Sequence, residues 1–358
     1  MPPTPTPVNG NFVTEGTFLA MATGFPGVSA PIDPANSRLH KLALSSDGQT
    51  VYALSRGPEP RILQFAPKGT YGFAVDHGTE PACIEHVALG MRLGKWGDGL
   101  LLASHTESGT RLTALPTARL GHGIQEWHAY KSSIRVHLDL PEMKGVDLIV
   151  ADEGTSAWLL TETSCVCLEW DKKEILLRGE IPVPGGARCG FLSPSSGLLV
   201  VSRDGGIYSI GDNAMHLEAS LPDLSEATCL TTTSDGLLWA DPSGSVSEWS
   251  VADGKAVALG RVPLLPVSGL AKVPDGRVFA SAGEDIAHWY VLEADDAQAR
   301  DLGVPVSTLT ARRYGFHFAH LLVGRDGEVY AAEDDMGGHL WLYFPAAPGR
   351  RSSAPSVH

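Results

Sequence analysis

The chain has 358 residues with a formal net charge of −14; 43% are hydrophobic, 19% are charged, and 40 are Gly and 25 Pro. That acidic balance excludes a general nucleic-acid or anionic-membrane surface, which needs clustered Lys and Arg, and so many turn formers exclude a fold of long helices. No stretch approaches the ~20 apolar residues of a membrane span, and the start "MPPTPTPVNGNFVTEG" lacks the basic-then-apolar order of a secretory signal. A cytoplasmic location is therefore expected, with secretion left open if a leader has been removed.

In chain order, residues 1–10 read as a flexible N-terminus and "GTFLAMATG" as a strand. Seven turn-centred units follow: "HKLALSSDGQTVYALSRG", "GMRLGKWGDGLLLASHTESG", "DLIVADEGTSAWLLTETS", "GFLSPSSGLLVVSRDGG", "CLTTTSDGLLWADPSGS", "GLAKVPDGRVFASAGED" and "HLLVGRDGEVYAAEDDMGG". Their turn residues, Asp47, Asp98, Glu153, Ser196, Asp235, Asp275 and Asp326, recur every 39 to 55 residues. Each unit runs strand, tight turn, strand, polar loop, then a third run often bearing an aromatic residue, such as "CVCLEW", "SVSEWSV" and "HLWLYFP". The stretch "LGHGIQEWHAYKSSIRVHLDLPEMKG" exceeds what such a unit needs, and long loops in compact folds are disproportionately functional. Residues 347–358 read as a disordered tail.

A strand, turn, strand, loop, strand unit of this period is a four-stranded propeller blade with a variable outer strand. The reading is an all-β fold: a single seven-bladed β-propeller over 11–346, closed by the N-terminal strand, which removes an exposed edge. The chain resembles the β-propeller superfamily through its strand–Asp-Gly–strand pattern. It is also similar to the propeller-fold polysaccharide lyases in the residue types and placement of "RRYGFHFAH" and "SHTESGTR". That second resemblance implies His, Tyr and Arg side chains around the axial cleft performing β-elimination on a uronic acid.

In a propeller, ligands are expected on the face that carries the entrances to the innermost strands and the loops after the second strands. The Asp-Gly turns lie on the opposite face. The entrances bring His40, His86, Tyr314 and His317; the loops bring His105. These five are the candidate acid/base residues, since imidazole titrates near neutral pH. Arg38, Arg56, Arg188 and Arg203 are candidates for capture of a substrate carboxylate, Trp127 for stacking, and Glu333 for a further polar contact. His317 and His320 fall on opposite faces of a strand; His317 is read as facing the ligand and His320 as packed between blades.

No organic cofactor is expected, because no dinucleotide or phosphate-loop pattern occurs and no GxSxG elbow appears. A structural or axial Ca²⁺ is allowed by the acidic turn "EDDMGGH", although it lacks calcium-loop spacing. The five cysteines fit neither a disulfide framework nor a zinc site; Cys165 and Cys167 are read as pointing to opposite faces. The expected function is a cofactor-independent lyase acting by β-elimination on a uronate-containing carbohydrate. The alternatives are a small-metabolite cyclase or isomerase on the same site, or a non-catalytic ligand- or protein-binding propeller. The expected partner is a small molecule or oligosaccharide, without nucleic acid or membrane, and a monomer is expected.

Overall fold

The computed structural model describes residues 16–22, 38–44, 51–56, 61–66, 69–76, 83–92, 98–116, 136–151, 154–170, 174–211, 213–233, 235–293, 297–306, 315–335 and 338–345, with side chains except over 16–22, 55–100 and 115–116. The termini expected to be flexible, 1–10 and 347–358, lie outside these.

Among the described residues, strands form seven antiparallel four-stranded sheets. Six are sequence-contiguous meanders: blade 1 over 38–76, blade 2 over 83–141, blade 3 over 145–182, blade 4 over 187–220, blade 5 over 229–261 and blade 6 over 267–303. Blade 7 takes three strands from 318–345 and its outermost from Gly16–Ala22, paired antiparallel from Gly16 opposite Pro345 to Ala22 opposite His339. The first strand of each blade packs on the first strand of the next, and the first strand of blade 7 packs on that of blade 1, so the ring is closed. The expected N-terminal closing strand is thus present.

Burial explains why each run takes its place. The second strands Gly236–Ala240, Val278–Ala282 and Val329–Glu333 are buried at every position, because both faces are covered by neighbouring blades, and such strands read as continuous apolar runs. The outer strands Ala214–Ser220 and Lys255–Arg261 are mostly exposed. Between blades 6 and 7 the core is aromatic: Phe279, Trp289, Phe318, Trp341 and Tyr343 are all buried in one cluster.

Two features of register bear on function. In six of the seven innermost strands one residue bulges out of the ladder near the entrance: His40, Glu85, Val146, Arg188, Ser268 and Ala319. A bulge re-aims the side chains around it. Secondly, Cys165 and Cys167 do not face apart as expected: residues two apart on a strand share a face. Their thiols are close enough to hydrogen-bond, which, with burial, pushes Cys165 up; the same bond, with one to Trp158, draws Cys167 down to about 7 against the opposing effect of burial. Cys165, Cys167, Cys189 and Cys229 are all free thiols.

Candidate functional site

On the entrance face, the chain laces its own loops together. The residue leaving the outer strand donates its backbone N–H to the second-to-third-strand turn of the same blade: Glu142 to Ser108 O at 2.7 Å, Val183 to Thr163 O, Leu221 to Gly205 O and Val262 to Gly244 O, each at 2.9 Å. Gly205 is required there. Its φ is +87°, and a Cβ would stand 2.2 Å from Leu221 O.

A second series closes the turn from within. The first residue of the third strand donates its backbone N–H to a side-chain oxygen at the end of the second strand. Ser164 N reaches Thr161 Oγ1 at 2.9 Å, Gly206 N reaches Ser202 Oγ at 2.8 Å, and Ser245 N reaches Asp241 Oδ1 at 2.9 Å. Glu333 is the blade 7 member. It is 0% exposed, and its Oε2 accepts from His339 N at 3.0 Å and His339 Nδ1 at 3.1 Å. A buried polar group must be hydrogen-bonded, and this accounts for an acid at the end of an apolar strand.

The other described candidates hold blades to one another. His105 Nε2 donates to Gly145 O of blade 3 at 2.9 Å. The Arg188 guanidinium spans to the short 3-10 turn leading into blade 5, donating to Leu224 O at 2.6 Å and to Ala227 O. Arg203 donates to Ala187 O at 3.3 Å and to Glu162 Oε1 of blade 3 at 3.2 Å; its hydrogen bond, with the charge of Lys144, holds the Glu162 carboxyl below its ordinary range. His40 is buried at the bulge of blade 1. His317 is half-buried just ahead of the first strand of blade 7, where its carbonyl accepts from Asp334 N at 3.0 Å. Arg38 is exposed and is the backbone register partner of Arg56. Trp127 and Tyr314 lie outside the described residues, as do the side chains of His86 and Arg56.

One step past the bulge, the innermost strands make a second kind of link. Asp147 Oδ2 of blade 3 accepts from Gly190 N of blade 4 at 3.0 Å, and His320 Nδ1 of blade 7 accepts from Leu42 N of blade 1 at 3.3 Å. In each case the acceptor sits one residue past its bulge and the donor two past the bulge of the next blade. His320 is therefore packed between blades, as read from the sequence. With Nδ1 accepting, its neutral form carries the proton on Nε2.

Burial, then the charge of Lys41 and that of His40, hold His320 well below the usual histidine range. The sign of the consequence is fixed. The unfolded chain takes up the proton first, so this stabilisation is complete above about pH 6.5 and is lost as pH falls toward the folded value, by at most about 1.4 kcal/mol per pH unit. Unfolding free energies from pH 7.5 to 5 should show that loss. His320→Gln, whose amide oxygen can take the Leu42 N–H while staying neutral, should flatten the curve; an unchanged slope would assign the effect elsewhere.

A cavity lined by described residues lies at the other mouth of the axial channel, on the Asp-Gly turn side. It measures about 560 Å³ and is lined by the far halves of the innermost strands of blades 1, 5, 6 and 7, including Lys41, Thr231, Thr232, Thr233, Lys272 and His320. Lys272 is neutralised by Glu248. Lys41 has no ion-pair partner among the described residues, and its charge is felt at His320 of blade 7 and at Cys189 of blade 4. Asp235 stands exposed on the turn at the mouth. Among the described residues no three His, Cys, Asp or Glu side chains converge to hold a metal ion. The sequence reading passed over this site because it looked at entrances; the signals for it were a Lys inside "RLHKLAL" and an unbroken "TTT" on an innermost strand.

No family model matches the chain, and no curated protein matches it. Among solved structures it is similar to the WD40 beta propeller domain of Doa1, with a TM-score of 0.57 and 10% identity over 94% of this chain and 100% of that one. At that identity the likeness is one of fold. With seven four-stranded sheets in a closed ring and an outermost strand supplied by the N-terminus, the chain has the fold of a seven-bladed β-propeller.

Proposed function

We propose that this protein is a non-catalytic ligand-binding propeller whose site is the axial cavity on the turn side. The observation that carries the reading is the cavity itself: about 560 Å³, within the range of small-molecule sites, and walled by four blades with polar side chains converging on it. Support also comes from the opposite face. There His105, Arg188, Arg203 and Glu333, four of the residues an acid/base reaction would draw on, are each engaged in bonds that hold loops or blades together. A general base must be free to reach its proton, and an imidazole whose N–H is given to a neighbouring blade is poorly placed for that.

The competing lyase reading predicts a measurable product. Incubation of the protein with a panel of polyuronates should give no rise in absorbance in the unsaturated-uronate band. A steady rise that His105→Ala abolishes and Lys41→Met leaves intact would replace this proposal with β-elimination on the entrance face.

A further inference from the structure

We infer that the axial cavity takes a small hydroxylated carboxylate, with Lys41 holding the carboxylate and the Thr231–Thr233 run and His320 meeting the hydroxyls; this rests on the binding reading above. The argument begins with charge. Two lysines line the cavity, but Lys272 is paired with Glu248, leaving Lys41 as the one of the two without an ion-pair partner among the described residues. An ammonium in a partly enclosed, low-dielectric space gains more from an anion than it does in open water, and Lys is a point charge suited to a single anionic group.

The number of charges limits the ligand. With one lysine unpaired, and with the Asp235 carboxylate exposed at the mouth and repelling further negative charge, a singly charged carboxylate is matched, and a doubly charged phosphate is not. The remaining wall is rich in donors and acceptors. Thr231 and Thr232 have side-chain hydroxyls that make no hydrogen bond among the described residues. The hydroxyl of Thr233 accepts from Asp235 N at 3.3 Å and keeps its proton to give. His320, with Nδ1 committed to Leu42 N, has Nε2–H as a donor. One anionic anchor on blade 1 faced by hydroxyls on blade 5 describes a polyhydroxy acid: charge at one end, hydroxyls along the rest.

Gluconate and sorbitol isolate the point at issue, since they share six carbons and a chain of hydroxyls and differ in the carboxylate. Isothermal titration of the full chain at fixed ionic strength should give gluconate at least about tenfold tighter binding than sorbitol, the size of one charge-assisted hydrogen bond. Lys41→Met should bring gluconate down to the sorbitol level, while Lys41→Arg should hold it within a few-fold of the native protein, which separates lost charge from a damaged fold. Equal binding of the two compounds, or undiminished gluconate binding by Lys41→Met, overturns the carboxylate assignment and leaves the cavity a binding site. Binding of neither compound overturns the carboxylate assignment and the binding reading together.

Discussion

Trp289→Ala is expected to lower the unfolding free energy by about 3–5 kcal/mol, the cost of emptying a fully buried aromatic site. Trp289 is 0% exposed on the third strand of blade 6. Its ring meets Phe318 edge-on at 5.8 Å and 87°, and Tyr343 at 5.2 Å and 60°. Phe318 in turn meets Trp341 at 5.8 Å and 88°, and Tyr343 meets Phe279 at 5.2 Å. All but the Phe318–Trp341 pair, which lies within blade 7, cross the seam between blades 6 and 7, and each aromatic contact adds roughly 0.5–1.5 kcal/mol beyond its area. Equilibrium denaturation should show the midpoint falling with the slope unchanged, because the surface exposed on unfolding is nearly the same. A loss below about 1 kcal/mol would mean that the seam collapses around the gap and that the cluster is not what joins these blades.

Removing residues 1–22 should have an effect of comparable size by a different route. The strand Gly16–Ala22 is in register with His339–Pro345 along its whole length. Without it the ring closes on three strands of blade 7, and Leu340, Trp341, Leu342 and Tyr343, all buried in the intact protein, sit on an open sheet edge. Main-chain bonds contribute about 0.5–1.5 kcal/mol each, so a loss on the order of 5 kcal/mol is expected, and an open apolar edge invites pairing between copies. Size-exclusion chromatography with light scattering should find the truncated protein aggregated or oligomeric, and a synthetic peptide covering residues 11–24 should return it to monomer. A truncated chain that stays monomeric with an unshifted melting temperature would contradict the role given to this strand.

The number of blades and the closing strand were legible in the sequence for physical reasons. Second strands such as "GLLWA" and "VYAAE" are covered on both faces and so are apolar up to the residue that ends the strand, and the turn that precedes each strand needs small or acidic residues. What lay beyond the sequence was the facing of the entrance residues. His40 sits at the bulge of its strand, whereas His86 sits one residue past it. One position reverses the face of a strand residue, so the two are not equivalent although they look alike in a linear alignment. In register, the counterpart of His86 is His320, the residue that the sequence reading set apart from the site.

Glu333, a candidate ligand contact in the sequence, belongs to a series whose common task shows only in the structure. Thr161, Ser202, Asp241 and Glu333 differ in type but perform one task, accepting the first N–H of the third strand. Chemical variety around the ring resembles an asymmetric site when read without the hydrogen bonds. Arg188 and His105 are similar cases, since their partners are backbone carbonyls of another blade, which carry no signature in a sequence. Lys41 had the opposite fate. One residue past an innermost-strand bulge, it lines the cavity on the turn side of the channel, where the sequence reading placed only turns.

The account turns on which mouth of the channel receives a ligand, and hydrogen–deuterium exchange of the native protein with and without saturating gluconate decides it. Protection should appear in 231–235, 270–276 and 320–323, the segments that wall the cavity, with the entrance-face segments 105–110, 142–147 and 203–206 unchanged. Protection confined to those entrance-face segments would contradict it and return the site to the histidine and arginine side of the ring.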